Sequence, residues 1–258
     1  MATFHINLGQ LETFFLIFLR LAAVLMTLPV FGSRNIPIVF KAGLVFSMTV
    51  LLFPLLDGTR LAVQPGVIAF GIGVVGEILM GVMIGLSVNL LFCGVQLAGQ
   101  LVGYQMGFAI ANVIDPQTGE QGSILSGLYN MTAMLLFLAF NAHHWLLRSL
   151  AESFRIVPLF GFRLNGSMLE YFMKLAGNMF VISVKVAAPV MAALLVASVC
   201  LGMVARTVPR MNVFLVGMPL KIALGLMFVA FSLPYLGLFL KHLFNGLGTS
   251  ILLILRNV

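Results

Sequence analysis

The run ILMGVMIGLSVNLLFCGVQLAGQLVGYQMGFAIANVI, residues 78–114, decides the kind of protein, because its 37 residues include no Asp, Glu, Lys or Arg. Such a run belongs at membrane depth, where charged side chains are excluded. As one helix it would be about 55 Å long, against a hydrocarbon core of about 30 Å. Its second half, residues 98–114, also holds three Gly, two Gln and one Asn. Polar or irregular backbone survives at that depth only where protein or water covers it, so we expect this half to line an interior, and we count only the first half as a helix.

The composition of the whole chain is that of an integral membrane protein. Of its 258 residues, 61% are hydrophobic and 8% are charged, whereas a soluble domain is about 25% charged. The formal net charge is +7, but the 14 Lys and Arg are scattered singly between apolar runs. Without a basic stripe, nucleic acid is excluded as a partner. The surrounding partner is membrane lipid, in which scattered Lys and Arg serve to orient the chain.

Apolar runs predict an all-α fold with about six long helices, near residues 13–31, 38–56, 66–97, 123–147, 176–204 and 211–240. Residues 148–174 are predicted to form an amphipathic or irregular surface segment. A basic turn with Arg206 and Arg210 separates the last two runs. The distribution of Lys and Arg places this turn in the cytoplasm, although residues 148–175 on the opposite side would then also be basic.

Two glycine patterns predict close helix packing. Gly81 and Gly85 share one helix face, as do Gly99, Gly103 and Gly107, and small residues at this spacing let two backbones approach. For the pair we favour packing within the chain. For the triple repeat we favour contact with a partner subunit or a pore, with packing inside the chain as the alternative.

Charged residues inside the runs need partners. Arg20 and Lys221 lie near the middle of their runs, where a charge costs about 3 kcal/mol on insertion scales. For both we favour pairing with another helix or subunit; a proton or substrate relay and misplaced helix boundaries are the alternatives. Lys41, Glu77 and Lys185 lie nearer the ends of their runs, and for these three we favour snorkelling to the interface.

No pattern typical of an enzyme or a cofactor site occurs in the sequence. The metalloprotease, nucleophile-elbow, paired-cysteine and phosphate-loop motifs are absent. His143 and His144 diverge by about 100° on a helix, and no Cys, Asp or Glu nearby completes a set of metal ligands. We therefore expect no catalytic residue, no cofactor and no metal.

The least membrane-like segment follows the uncharged run directly. Residues 115–122 (DPQTGEQG) contain the acids Asp115 and Glu120 and the turn formers Pro116 and Gly119. One interpretation is an exposed surface turn. The other is that the segment lies in the interior predicted for the preceding residues, where it would obstruct a passage.

Four stretches of the chain match one known family in order and spacing. They are residues 98–109 (AGQLVGYQMGFA) leading to Asp115-Pro116, residues 19–44 with Leu19-Arg20, PVFG at 29–32, Pro37 and KAGL at 41–44, residues 137–144 with Phe137-Leu138 and NAHH, and residues 209–221 with PRMNVF and GMPLK. Together they resemble the FliR family, a core export-gate component of the flagellar type III secretion apparatus. The resemblance covers nearly the whole chain.

The resemblance implies a helical hetero-oligomeric export gate. FliR-like proteins assemble with several copies of FliP and FliQ into a pore and engage FlhB at its cytoplasmic mouth, and unfolded flagellar subunits pass through. The implied location is the bacterial inner membrane, multi-pass, in the flagellar basal body. Residues 1–175 would resemble FliP in fold, and residues 176–258 would form a FliQ-like hairpin and tail. Much of such a core lies above the bilayer plane, so not all six runs need be transmembrane.

The resemblance also implies roles for particular residues. The loop near residues 106–122 would plug the closed pore, and its matching positions are Met106, Gly107, Phe108, Asn112, Asp115, Pro116, Gly119 and Glu120. A cytoplasmic turn would face FlhB, and its matching positions are Arg206, Pro209, Arg210 and Asn212.

Two alternatives remain at this point. The related export-gate subunit of a virulence injectisome is the nearer one, although the Asp115-Pro116 loop and the Met211-Asn212 hairpin look more flagellar. A secondary transporter is suggested by the Pro-interrupted helices and the charges in the runs. It is disfavoured because no two related halves are visible and Glu77 is the only carboxylate within a run.

Overall fold

The computed structural model describes residues 8–32, 36–59, 66–108, 124–162, 165–207 and 213–256. Within these ranges the chain is helical, with turns between helices and no β-strand, so the predicted all-α fold is confirmed. The described helices are α1 (Leu8–Thr27), α2 (Ile38–Leu52) with a 3₁₀ segment at Phe53–Thr59, α3 (Val67–Met106), α4 (Ile124–Ala139), α5 (Ala142–Ile156), α6 (Gly166–Thr207), α7 (Val213–Asn245) and α8 (Leu247–Arg256).

Several of these helices are much longer than a bilayer requires. In the described part of the chain, five are long and apolar enough to cross a membrane, and a sixth span results if the bent pair α4 and α5 counts as one. The prediction of about six apolar helices is thereby confirmed. Helices α3 and α6 have 40 and 42 residues, which makes each about 60 Å long, twice the hydrocarbon thickness.

The structure corrects three predicted helix boundaries. Helix α3 does not stop near residue 97 but stays regular to Met106, because protein side chains cover its last turns. Helix α6 begins at Gly166, ten residues before the predicted run, so only residues 157–165 of the predicted surface segment separate two helices. The predicted run 123–147 is broken at Asn141, whose left-handed φ of 54° accompanies a 71° bend.

The chain divides into two compact units. Unit 1 comprises Met1–Leu90, Asn141–Leu175 and Asn245–Val258, and unit 2 comprises Leu91–Phe140 and Ala176–Phe244. In unit 1, α1 packs against α2 and α5 packs against α8. The core of unit 2 contains the rings of Phe92, Phe137 and Phe244, whose centroids lie between 5.4 and 6.1 Å apart. The predicted division at residue 175 into FliP-like and FliQ-like portions stays a prediction.

Much apolar surface is left uncovered within the single chain. In the apolar stretch of residues 38–56, which comprises α2 and part of the 3₁₀ segment after it, only 11% is buried. The corresponding buried shares of α6 and α7 are 33% and 22%. On α2 the side chains of Ile38, Val39 and Leu51 are each more than two-thirds exposed. Exposed apolar surface on this scale is expected only where lipid or another protein covers it.

Candidate functional site

A fully buried ion pair lies in unit 1. Arg20 of α1 is 0% exposed and Glu77 of α3 is 1% exposed, and the Nε of Arg20 donates to Oε2 of Glu77 over 2.5 Å. Two charges removed from water are tolerated only when they are paired and their other polar atoms are hydrogen-bonded. The remaining donors of Arg20 therefore decide whether this pair is a stable part of the fold.

The other donors of Arg20 are used by the end of α5. Its Nη1 and Nη2 both donate to the carbonyl oxygen of Val157 over 3.2 Å, and Nη1 also lies 3.4 Å from the Ser153 hydroxyl. The guanidinium carbon stands 4.2 Å from the centroid of the Phe154 ring, a cation–π distance. We call Arg20, Glu77, Ser153, Phe154 and Val157 the ion-pair centre. It ties α1, α3 and the end of α5 together.

The structure pairs two charged residues for which the sequence predicted different environments. For Arg20 an interhelical partner was favoured, and Glu77 is that partner. The interpretation of Glu77 as a snorkelling side chain was wrong, because its carboxylate is enclosed by protein. The two residues are 57 positions apart, and the one signal for the pairing was that Glu77 is the only acid within a run. Of the other charges, Lys41 and Lys221 are half-buried and Lys185 is exposed.

Gly81 and Gly85 place α3 directly against α1. A Cβ on Gly81 would stand 2.5 Å from the carbonyl oxygen of Arg20, and a Cβ on Gly85 would overlap the hydroxyl of Thr27. Asn89, one turn further, donates its Nδ2 to the Thr27 carbonyl oxygen over 3.0 Å. The contact is therefore one of backbone on backbone, and it sets the distance at which Arg20 reaches Glu77.

We predict that Gly81→Leu separates α1 from α3 and destabilises the protein by about 1–3 kcal/mol, the usual cost of overpacking. Gly71→Leu is the matched control, because Gly71 lies on the same helix and a Cβ there would meet nothing within 4 Å. The measurement is the apparent melting temperature in mild detergent. Equal melting temperatures for the two variants would show that the contact between α1 and α3 is not tight.

A turn that the sequence did not reveal also packs on α3 in unit 1. Phe160 adopts a left-handed φ of 65°, and its ring occupies the space that a Cβ on Gly73 would need. Phe162 lies beside Gly76 in the same way, with its Cβ 3.2 Å from the added atom. Both rings line an apolar cavity of about 530 Å³. The glycines at 73 and 76 therefore accommodate aromatic rings.

The end of α3 makes contacts with three helices of unit 2. A Cβ on Gly99 would stand 2.6 Å from the Cα of Ser126 in α4. The Nε2 of Gln105 donates to the Met191 carbonyl oxygen of α6 over 3.1 Å. Met106 is 0% exposed, and its thioether lies against Gly225 of α7. Within the segment that the composition marked as unsuited to lipid, residues 98–106 are thus regular helix, and Ala98, Val102 and Met106 are buried in protein.

Gly107 ends α3. Its φ of +95° is one that side-chain-bearing residues rarely adopt. The N–H of Gly107 donates to the Tyr104 carbonyl over 3.1 Å, and the N–H of Phe108 donates to the Gly103 carbonyl over 3.0 Å. This pair of bonds is the Schellman motif of helix ends. Within this chain the third glycine of the triple repeat is therefore required for its backbone conformation, and a Cβ on it would meet nothing within 4 Å.

Other predicted site residues are described only in part. Gly103 is buried near the end of α3, and Arg206 is exposed in the last turn of α6. The remaining positions of the predicted plug and cytoplasmic turn lie outside the described residues: Asn112, Asp115, Pro116, Gly119, Glu120, Pro209, Arg210 and Asn212.

Comparison with known proteins places these features in a family. Residues 11–247 match the family described as bacterial export proteins, family 1. A relative from Bacillus subtilis (strain 168) is 36% identical over 242 residues, 90% of each chain. One from Pectobacterium carotovorum is 35% identical over 90% of this chain and 88% of its own, and one from Escherichia coli (strain K12) is 31% identical over 92% and 90%. All three are named flagellar biosynthetic protein FliR.

Proposed function

The chain belongs to the FliR family of bacterial export proteins, and from this premise we propose that it is a core, non-enzymatic subunit of the flagellar type III export channel. In this proposal it assembles with FliP and FliQ homologues into a gated pore in the bacterial inner membrane. Unfolded flagellar subunits pass through this pore transiently. The observation that carries the proposal is family membership over most of the chain.

The exposed apolar surface supports an assembly with other proteins. Helices about 60 Å long cannot be covered along their whole length by a hydrocarbon core of about 30 Å. One of these helices, α6, nevertheless carries exposed apolar side chains along most of its length, from Leu169 to Met203. Sister subunits with similarly apolar helices would cover the surface that lipid cannot reach.

The end of α3 supports a closing element at the pore. The proposed plug starts at Met106, Gly107 and Phe108, which leave a helix packed inside unit 2 rather than on a lipid-facing surface. In the proposal, the loop through residue 122 fills the closed channel, and the turn between α6 and α7 meets an FlhB homologue on the cytoplasmic side. Lys221 of α7 is half-buried and is flanked by apolar residues in the sequence, and in the proposal a partner subunit supplies its counter-charge.

The relatives favour the flagellar apparatus over a virulence injectisome, because those compared carry a flagellar name. Family membership likewise favours an export subunit over a secondary transporter.

The proposed function is tested by removing the protein from its native host and measuring flagellar rod, hook and filament subunits in the medium. We expect export and motility to be lost and to return when the chain is supplied from a plasmid. Growth and secretion by other routes serve as controls. Normal export of flagellar subunits without this protein would contradict the proposal.

A further inference from the structure

One contact in unit 2 joins a glycine to the last side chain of α3. The side chain of Met106 occupies the notch left by Gly225 on α7. A Cβ at Gly225 would lie 2.6 Å from both the Sδ and the Cε of Met106, closer than real Cβ contacts occur. Met106 is also fully buried. The two residues therefore fit as knob and hole between the end of α3 and the middle of α7.

The position of Met106 in the chain gives this contact its importance. Met106 is the last residue of α3, and the backbone leaves the helix at Gly107. It is thus the last side chain with which the helix can fix the place and direction of its exit. The neighbouring Gln105 adds a second tether, to α6, through its bond to the Met191 carbonyl oxygen. Two adjacent side chains therefore hold the end of α3 against two different helices.

Helix α7 presents Gly225 to the protein and the two residues after it to the outside. Leu226 and Met227 are 50% and 45% exposed, whereas Gly225 is buried. Gly237, three turns further along α7, is a contrasting case, because a Cβ there would meet nothing within 4 Å. The notch is therefore a local feature and not a property of every glycine on this helix.

We propose that Gly225 is a positioning residue of the export channel: it seats Met106 and thereby fixes the corner Met106–Gly107–Phe108 in the closed state. This inference rests on the proposed function, in which that corner begins the closing element. Filling the notch would push Met106 out and move the corner. Because methionine is flexible, a small addition would be absorbed in part and a large one would not.

The test is a graded series at Gly225 in the assembled complex, purified in mild detergent and placed in lipid bilayers. Overpacking shifts a closed–open equilibrium by about tenfold to a hundredfold. We expect Gly225→Leu to raise ion conductance by that range and Gly225→Ala to raise it less. Gly237→Leu, the matched control, should stay as tight as the wild type. In the double variant Met106→Ala with Gly225→Leu, the shortened side chain makes room, and conductance should fall back.

The outcomes separate this inference from the function on which it rests. A complex that contains Gly225→Leu and conducts ions no better than the wild type would contradict the proposed seating of Met106 by Gly225. If Gly225→Leu yields no complex, the Gly225→Ala complex is measured instead. Conductance above the wild-type value supports the proposed seating of Met106, and wild-type conductance contradicts it. A failure of the double variant to lower the leak of Gly225→Leu would also overturn it. If the complex that lacks residues 109–121 conducts ions while the Gly225 variants conduct no more than the wild type, only the proposed seating of Met106 by Gly225 is wrong. If the deletion also leaves conductance unchanged, the proposed closing element is wrong.

Discussion

Glu77→Gln is expected to destabilise the protein by about 3–5 kcal/mol, the cost of leaving one member of a buried ion pair without its partner. Arg20 would keep its bonds to the end of α5, but its charge would be enclosed without a counter-charge. In a chain of this size such a loss lowers the melting temperature on the order of 10 °C. The measurement is the fraction of protein that remains monodisperse in mild detergent after heating.

Two further variants show whether charge is the cause. Replacing both partners, as Arg20→Met with Glu77→Leu, should return stability to near the wild-type value, because a buried pair exchanged for apolar side chains is often neutral. Arg155→Met is the surface control: Arg155 is 72% exposed and lies 3.7 Å from Glu152, and exposed pairs contribute about 0–1 kcal/mol. Glu77→Gln melting like the wild type would show that the pair does not hold the three helices together.

Deleting residues 109–121 is expected to leave assembly intact and make the membrane permeable to ions. A pore able to pass an unfolded polypeptide is wide enough for hydrated ions, so its closed state requires an obstruction. The helices that carry the described packing, α3 to α7, lie outside the deleted residues. The measurement is the conductance of purified complexes in planar bilayers, with the wild-type complex beside it.

This prediction is informative only when the deleted chain is shown to be in the complex. Its presence is established by mass spectrometry of the sample used for the conductance measurement. Replacing the same residues by a Gly and Ser linker of equal length separates the bulk of the loop from its sequence. Unchanged conductance in a complex that contains the shortened chain would rule out the plug.

Helix α3 shows what amino-acid composition can predict about this fold and what it cannot. Charge-free sequence identified a membrane-depth element, and the Gly, Gln and Asn content of residues 98–114 indicated that lipid does not cover them. Composition did not show that residues 98–106 stay helical, because the choice depends on what covers them. In the structure, Gly99 and Met106 meet other helices, and such packing stabilises a helix despite unfavourable propensity.

Arg20 and Asn141 mark two other limits of the sequence. That Arg20 needs a partner follows from its depth in an apolar run, but the identity of the partner depends on which helices pack together. The break at Asn141 interrupts a run that is apolar on both sides, and one left-handed Asn carries no strong signal on its own. Pairing and bending are both set by tertiary packing.

In the proposed function, this chain works as one subunit of a hetero-oligomeric export gate. Its most direct test is to purify the tagged protein from its native membrane in mild detergent and to identify by mass spectrometry what accompanies it. We expect stable recovery of FliP-like and FliQ-like proteins in a single assembly. A clean monomer or homodimer with neither partner present would contradict the claim and leave the exposed apolar helices to be explained by lipid alone.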